Sequence, residues 1–419
     1  MKTTALRLYG ENDLRLETFE LPALREGEVL CRIISDSICM SSHKAAIQGA
    51  RHKRVPNDVA SNPVIIGHEF CGEVVEVGKK HEGKIRPGQK FTVQPAMNYK
   101  GSQDAPGYSF PYIGGAATYI VIPEEVFLTD CFLPYGGSAF FYGSLAEPMS
   151  CIVGAFHANY HTENGSYAHR MGVAEGGNAC ILAGAGPMGL GAVDYALNCD
   201  RRPGLLAVTD IDGARLERAA SILPPSYAQK RGVKLVYVNT AREGAEAELT
   251  ALTGGAGYDD VFVFAPVRPV VEQGGRLLAR DGCLNFFAGP TDPAFKAEFN
   301  FYNVHYASAH IVGTSGGNTD DMRESIKLMQ EGAIDPAVMI THVGGLNSAR
   351  DTTLNLPKIP GGKKLVYCQI DMPMTALADL QTSADPLLKE LGRRVKENNG
   401  LWSADAERYL LQNGKPIMK

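Results

Sequence analysis

The stretch ACILAGAGPMG at residues 179–189 decides the fold of one half of this chain. Its first residues form an apolar run suited to a fully buried parallel strand, and the segment after its glycine loop has helical spacing. Gly184 permits a tight turn, and Gly186 lets a phosphate group approach the backbone. Gly189 allows the helix to pack closely on the strand. A glycine loop between strand and helix predicts a dinucleotide site.

The residues that follow the loop support this prediction. Pro187 and Met188 begin the helix, whose free N–H groups would face the phosphates. Asp210 stands about 20 residues further on, at the end of the run 205–210, where a carboxylate holds the ribose hydroxyls of NAD. A carboxylate there repels a 2′-phosphate, so NAD is favoured, while Arg215 in the next helix leaves use of NADP open.

Strand and helix patterns then alternate along the chain. Apolar runs at 234–238, 260–264 and 282–287 supply further strands, and the series ends near residue 313. This rhythm predicts βαβ units, and hence a doubly wound parallel sheet of the Rossmann type over residues 156–313. The fold class is therefore α/β.

The remaining segments have a different character. Residues 1–155 are rich in short β-type runs and Gly-Pro turns, which indicates a partly open β-barrel. We expect residues 314–369 to return to this barrel domain. Residues 370–419 form a C-terminal extension with two short helices, and it contains the only tryptophan, Trp402, which we expect to pack on the body or on a partner subunit.

Composition excludes several classes of function. The chain has 419 residues and a net charge of −5, which argues against a nucleic-acid or membrane-surface partner. No apolar run is long enough to cross a bilayer. Nine cysteines without paired spacing argue against a disulfide framework and favour a reducing cytoplasm.

A second motif carries metal chemistry. The stretch GHEFCGEVVEVG at residues 67–78 contains His68 and Glu69, with Cys39 upstream and Glu147 downstream. Thiolate, imidazole and carboxylate are the groups that bind zinc. A metal site and a nicotinamide site on one chain imply hydride transfer to or from a carbon that carries oxygen.

This motif resembles the signature of the zinc-dependent medium-chain alcohol dehydrogenases. The resemblance extends to about residue 370 and includes RPGQK at 86–90 and the dinucleotide loop. The segment LAEPMSC at 145–151 is similar to the sorbitol-dehydrogenase branch, in which Glu replaces a second metal cysteine. The resemblance implies a GroES-like barrel as the catalytic domain.

The resemblance also implies roles for single residues. Cys39 and His68 would bind the catalytic zinc, with Glu69 as third ligand or directly behind the ligands. Glu147 would be an alternative ligand or would hold the zinc-bound water. Ser41 matches the hydroxyl that relays the proton, and His43 is one candidate for the outer end of that relay.

The chain departs from the family pattern at two places. Ser42, His43 and Lys44 follow Ser41, where the family usually has Asp directly after the hydroxyl, so the outer end of the relay stays open. Many relatives hold a structural zinc with four cysteines after about residue 90, whereas this chain has no cysteine from Phe91 up to Asp130. We therefore expect one catalytic zinc per subunit and no structural zinc.

A basic run bears on the substrate. Arg51, Lys53 and Arg54 follow the Cys39 segment and could form a phosphate clamp, although a solvated loop explains the same run. Within the family the chain is similar to the bacterial sorbose-phosphate reductases, including its C-terminal extension. That similarity implies interconversion of L-sorbose 1-phosphate and D-glucitol 6-phosphate.

Three alternatives remain open at this point. The first is a dehydrogenase of unphosphorylated polyols such as sorbitol, which shares every motif. The second is a metal-free quinone reductase of the same superfamily, and the third is a non-catalytic nucleotide-binding protein. The partner expected is a small sugar or sugar phosphate, and relatives suggest a homodimer or homotetramer.

Overall fold

The computed structural model describes residues 1–163 and 166–417. The strands run in chain order as follows: β1 (Lys2–Gly10), β2 (Asp13–Glu20), β3 (Val29–Ile38), β4 (Val64–Ile65), β5 (Phe70–Val77), β6 (Lys90–Val93), β7 (Tyr119–Ile122), β8 (Phe132–Pro134), β9 (Tyr160–Thr162), β10 (His169–Met171), β11 (Asn178–Leu182), β12 (Leu205–Asp210), β13 (Lys234–Asn239), β14 (Tyr258–Val263), β15 (Leu278–Phe286), β16 (His310–Gly313), β17 (Ile340–Gly345), β18 (Lys363–Tyr367) and β19 (Thr375–Ala376).

The α-helices are α1 (Met40–Gln48), α2 (Glu124–Leu128), α3 (Phe140–Ser144), α4 (Ala146–Ala158), α5 (Pro187–Asn198), α6 (Gly213–Ile222), α7 (Pro225–Gln229), α8 (Ala245–Leu252), α9 (Arg268–Leu277), α10 (Phe301–Tyr306), α11 (Thr319–Gln330), α12 (Ala349–Leu354), α13 (Pro386–Glu397) and α14 (Ala404–Asn413). Short 3₁₀ turns lie at Gly49–Arg51, Lys79–His81, Tyr99–Gly101, Pro336–Met339, Leu346–Ser348, Leu356–Lys358 and Leu380–Thr382.

Contacts between residues divide the chain into two compact units. The first comprises Met1–Pro148, Asn318–Glu331 and Ile340–Lys419, and the second comprises Met149–Gly317 and Gly332–Met339. The domain bounds expected at 155, 313 and 369 stay a prediction. The bounds of the two compact units differ from these expected bounds for two reasons. Helix α4 continues without a break past residue 155, and the C-terminal extension packs into the first unit.

The first unit is built from mainly antiparallel sheet, in which β17 and β18 form a parallel pair. An eight-stranded sheet has the order β19-β17-β18-β3-β5-β6-β8, with β7 paired to β3, and a three-stranded sheet has the order β2-β1-β4. Their inner faces share one core of small and branched apolar side chains, among them Leu6, Val29 and Ile120, all fully buried. This arrangement confirms the β-barrel expected from the short β-type runs.

The second unit contains a six-stranded sheet of order β13-β12-β11-β14-β15-β16. Every pair in this sheet is parallel. The central strands are buried on both faces, as their continuous apolar sequences require. The order 3-2-1-4-5-6 is that of the Rossmann fold, so the parallel sheet expected from the sequence is confirmed.

The C-terminal extension contains the two helices expected, α13 and α14. Trp402 between them is completely buried, so it packs on the body of its own unit. Among the residues described, the structure contains no helix with the length and apolarity needed to cross a membrane.

Candidate catalytic metal centre and dinucleotide site

Strand pairing in the first unit brings the predicted metal ligands together. Cys39 is the first residue after β3, and Glu69 is the last residue before β5. These strands are antiparallel, with Asp36 opposite Phe70, so the end of one strand meets the start of the other. The ligand atoms of Cys39, His68 and Glu69 consequently all lie within 4.8 Å of one another.

The His68 ring is buried and fixed on both sides. Its Nδ1 lies 3.2 Å from the Ser42 hydroxyl, while its Nε2 faces the Ser41 hydroxyl at 3.3 Å. Burial lowers the pKa of His68, which keeps the imidazole neutral and able to bind a metal. Burial also raises the pKa of the Cys39 thiol, against the effect of Lys363. A nearby cation would promote the thiolate that metal binding requires.

Glu69 has a partner that the sequence analysis missed. Lys363, the first residue of β18, donates a hydrogen bond from Nζ to Glu69 Oε1, and both side chains are almost completely buried. Burial opposes ionisation of Glu69, but Lys363 and His68 bring its pKa below the ordinary value. Its second oxygen, Oε2, makes no well-formed hydrogen bond to the described residues. A buried carboxylate oxygen in this state, beside sulfur and nitrogen donors, fits a zinc ion.

Glu147 lies in the first turn of α4 and outside the 4.8 Å group. Burial raises its pKa to about 7, and the charges of Glu69 and Cys39 act in the same direction, while His68 opposes them. These mutual effects place Glu147 within electrostatic reach of the group. Its role as ligand or as holder of a water stays a prediction.

Two residues of the proposed proton relay have defined surroundings. Ser41 Oγ lies 3.1 Å from Cys39 Sγ and accepts a hydrogen bond of 2.8 Å from the Tyr108 hydroxyl. His43 is buried, and its Nδ1 lies 2.8 Å from the carbonyl oxygen of Thr353. The structure therefore links Ser41 to Tyr108 and ties one nitrogen of His43 to the backbone.

Tyr108 is the second residue missed by sequence reasoning. Its hydroxyl lies 3.2 Å from His68 Nε2, and the two rings are 4.8 Å apart between centroids. It belongs to the long connection between β6 and β7, which is the cysteine-free segment noted above. A buried tyrosine has no local sequence signal of its own in a loop rich in Gly, Pro and Ser.

The three side chains of the basic run lie in different surroundings. Arg51 is exposed and pairs with Glu11 at 2.8 Å, and Lys53 is exposed. Arg54 is half-buried, with its guanidinium carbon 5.3 Å from the centre of the Tyr108 ring and its Nε buried without a hydrogen bond. Of the three predicted clamp residues, Arg54 is the one that the structure brings to the metal centre.

The glycine loop of the second unit has the expected strand–loop–helix context. Gly186 is the N-cap of α5, and a Cβ there would meet nothing within 4 Å, so a phosphate has room to approach the backbone. A Cβ on Gly189 would lie 2.3 Å from the Gly184 carbonyl oxygen, which only glycine avoids. The turn itself differs from expectation, because the positive φ of 54° falls on Ala183. Gly184 is needed instead for space, since a Cβ would lie 2.6 Å from Ile181 Cγ2.

Asp210 ends β12 and is buried, with Oδ1 accepting a hydrogen bond from the Asp212 N–H at 3.1 Å. Asp212 in turn caps α6, where Arg215 lies and pairs with it at 3.4 Å. Pro187 and Met188 form the first turn of α5. The second unit thus carries every predicted cofactor residue on one sheet edge, at the carboxyl ends of β11 and β12.

A metal-binding barrel joined to a Rossmann sheet defines the class as metal-dependent dehydrogenase. The chain matches the family described as alcohol dehydrogenase GroES-like domain over residues 25–131, and zinc-binding dehydrogenase over residues 187–331. It is 52% identical to L-sorbose 1-phosphate reductase of Klebsiella pneumoniae, over 99% of this chain and 98% of that one. It is 51% identical to mannitol-1-phosphate 5-dehydrogenase of Aliivibrio fischeri, with 98% of each chain covered.

A zinc-binding dehydrogenase of Sinorhizobium meliloti 1021, solved with bound NADP, has the same fold with a TM-score of 0.70. It is 21% identical, and the match covers 88% of this chain and 100% of that one. The chain belongs to the zinc-dependent alcohol dehydrogenase family. The expected family, enzyme class and cofactor pair of zinc and NAD(P) are thereby confirmed, and neither a metal-free reductase nor a non-catalytic protein is supported. The absence of a structural zinc stays a prediction.

Proposed function

We propose that this chain is a zinc- and NAD-dependent oxidoreductase that interconverts a ketose phosphate and a polyol phosphate. The proposed pair is L-sorbose 1-phosphate and D-glucitol 6-phosphate. The observation that carries the proposal is Arg54, a half-buried cation that lies over Tyr108 next to the Cys39–His68–Glu69 group. The high identity to two enzymes named for sugar phosphates supports the same substrate class.

The residues of the first unit have separate roles in the proposed reaction. Cys39, His68 and Glu69 would hold zinc, which when bound supplies a Lewis acid, while NAD at the second unit's loop supplies the hydride acceptor or donor. Ser41 is the group that takes or returns the proton of the substrate oxygen, because its hydroxyl lies next to Cys39 Sγ and is held by Tyr108. Lys363 keeps Glu69 ionised and oriented.

Arg54 would recognise the phosphate. Its guanidinium is positioned by the Tyr108 ring, and its backbone carbonyl accepts a hydrogen bond of 2.7 Å from the Ser109 hydroxyl. A guanidinium with an unused buried N–H can form charge-assisted hydrogen bonds to a phosphate. Arg51 already pairs with Glu11, and Lys53 points to solvent, so neither contributes much in this proposal.

The experiment compares Arg54→Gln with the matched control Arg51→Gln. For Arg54→Gln, we expect the KM for the phosphorylated sugar to rise tenfold or more, since a hydrogen bond to a charged group contributes about 1.5–3 kcal/mol. The KM for the free polyol should stay within about twofold, and Arg51→Gln should leave both values unchanged. Equal effects of Arg54→Gln on both substrates would reject the phosphate clamp and favour a dehydrogenase of free polyols such as sorbitol.

We also propose a cellular compartment and an oligomeric state for the enzyme. None of the nine cysteines, all of which lie among the described residues, forms a disulfide, and this supports a reducing cytoplasm as the place where the enzyme works. A homodimer or homotetramer is supported by four large side chains that lie exposed on α10 and on the edge strand β16: Phe301, Tyr302, Tyr306 and Ile311. The molar mass in solution, measured by light scattering, tests the assembly. A monomer would reject it.

A further inference from the structure

The C-terminal extension contributes one carboxylate, that of Glu407, to the interior of the first unit. Glu407, in the first half of α14, is only 3% exposed. Its Oε1 accepts a hydrogen bond of 2.6 Å from the Phe140 N–H, and its Oε2 accepts one of 2.9 Å from the Phe141 N–H. These donors are the first two N–H groups of α3, more than 260 residues earlier in the chain.

This contact provides hydrogen-bond acceptors for the N–H groups at the start of α3, which have none in the neighbouring sequence. The first N–H groups of a helix have no partner within the helix, and the N-cap residue Ala139 has no side chain to offer them. Burial of a carboxylate is costly unless it is hydrogen-bonded, and Glu407 uses both of its oxygens. Burial raises the pKa of Glu407, and the bonds from the two N–H groups oppose that rise.

Glu407 also forms a hydrogen bond with a residue of β18. The Tyr367 hydroxyl donates to Glu407 Oε2 at 2.9 Å and accepts a hydrogen bond of 2.7 Å from the Trp402 Nε1–H. Tyr367 is the last residue of β18, and Lys363 is the first, four positions earlier on the same face of the strand. Since Lys363 holds Glu69, one short strand connects the extension to a predicted metal ligand.

Helix α3 itself packs on the strands that carry the predicted ligands. Ser144 at its end accepts a hydrogen bond of 3.0 Å from Ser35 on β3. A Cβ on Gly143 would lie 2.4 Å from the sulfur of Cys71 on β5, so the helix and this strand are in close contact. Helix α4 starts two residues after α3 ends, and its second residue is Glu147.

We propose that Glu407 is a positioning residue for the metal centre, and that the C-terminal extension is a working part of the catalytic unit. Glu407 fixes the start of α3, and thereby the place of Glu147. Through Tyr367 it also fixes β18, and thereby the Lys363–Glu69 pair. The inference rests on the proposed zinc site, because the geometry of that site is what Glu407 maintains.

The test uses the full-length zinc enzyme and the variant Glu407→Gln. The amide keeps the shape of the side chain but presents an NH₂ group where an acceptor is needed, so one backbone N–H loses its partner. We expect the Kd for zinc, measured by competition with a chelator, to rise about tenfold or more, as is typical when a supporting residue behind metal ligands is lost. The visible spectrum of the cobalt-substituted enzyme should shift, while the Kd for NADH should not change.

Asp405→Asn is the matched control. Asp405 lies two residues earlier on α14 and forms ion pairs with Arg394 and Arg408 on the surface. The variant also replaces a carboxylate by an amide on this helix, yet it does not touch α3. We expect its zinc Kd and cobalt spectrum to equal those of the wild type.

Tyr367→Phe covers the case in which Glu407→Gln does not fold. It removes one hydrogen bond to Glu407 and keeps the carboxylate on α3, so a several-fold rise in the zinc Kd is expected. A lower unfolding temperature with unchanged zinc Kd and cobalt spectrum would overturn the inference, since Glu407 would then be merely structural. A wild-type chain that binds no stoichiometric zinc would instead overturn the proposed function itself.

Discussion

Lys363 Nζ donates a hydrogen bond to Glu69 Oε1, with 5% and 1% of the two side chains exposed to solvent. The strands β3 and β18 pair next to Cys39, so the ion pair lies directly behind the predicted ligand group. A buried pair of this kind costs desolvation energy that mutual attraction must offset. It is better explained by the orientation of Glu69 towards a metal than by a gain in stability.

Replacing Lys363 by Met should destabilise the metal-free chain by about 3–5 kcal/mol, because Glu69 would be left buried without a partner. With zinc bound the loss should be smaller, since the cation compensates the carboxylate. Urea unfolding with a chelator and with excess zinc measures both values. Lys363→Arg keeps the charge and is the control. An equal loss in both conditions would show that Glu69 does not face the metal.

Removal of the metal should abolish turnover and be reversible. Treatment with a chelator is expected to lower kcat by about a thousandfold or more, since the Lewis acid contributes several kcal/mol. Cys39→Ser should lose zinc, whereas Cys199→Ser, a buried cysteine at the end of α5, should keep it. Metal analysis should find one zinc per wild-type chain. Two tightly held zincs would contradict the prediction drawn from the cysteine-free loop.

Asp210 should decide the choice of cofactor. Asp210→Ser removes the carboxylate that is predicted to bind the ribose hydroxyls and to repel a 2′-phosphate. We expect kcat/KM for NADH to fall about tenfold or more and the value for NADPH to rise, because a lost hydrogen bond to a charged group costs about 1.5–3 kcal/mol. Asp200→Ser, at an exposed position of the same unit, is the control. A parallel fall with both cofactors would reject this role.

The two sites differ in how far they could be predicted. The dinucleotide loop and Asp210 are predicted from one local run of strand, turn and helix, so the sequence alone was enough for that prediction, and the structure contains these elements at the expected positions. Its one error concerns the turn, where Ala183 takes the positive φ. The grouping of Cys39 with His68 depends on the pairing of two distant strands, and the family resemblance supplied it.

The residues that were missed share a physical reason. Lys363 is 294 positions from Glu69, Tyr108 is 67 from Ser41, and Glu407 is 266 from Phe141. Each is a polar side chain whose role depends on a contact with a residue distant in sequence, and no rule of local spacing predicts such a contact. Lys363 begins a strand whose sequence otherwise resembles an ordinary core strand. Prediction from periodicity therefore finds the elements but not the side chains that join them.

The stability of the second unit should depend on pH through one buried carboxyl group. Asp194 on α5 is buried and accepts a hydrogen bond of 2.7 Å from the Asp335 N–H. Burial raises its pKa to about 7, compared with about 3.9 in an unfolded chain. The native state therefore binds this proton more tightly, so the contribution of Asp194 to the free energy of unfolding should fall as pH rises from about 4 to 7 and then level off.

Asp194→Asn keeps an acceptor for the Asp335 N–H and removes the titrating group. Its stability relative to wild type should therefore improve between pH 5 and pH 8, by about 1–3 kcal/mol, because each unit of pKa shift corresponds to about 1.4 kcal/mol. Urea unfolding of both proteins at several pH values measures this difference, and any fixed cost of the substitution cancels in the comparison. Parallel stability curves for the two proteins would show that Asp194 is ionised in the native chain throughout this range, and that burial does not hold its proton.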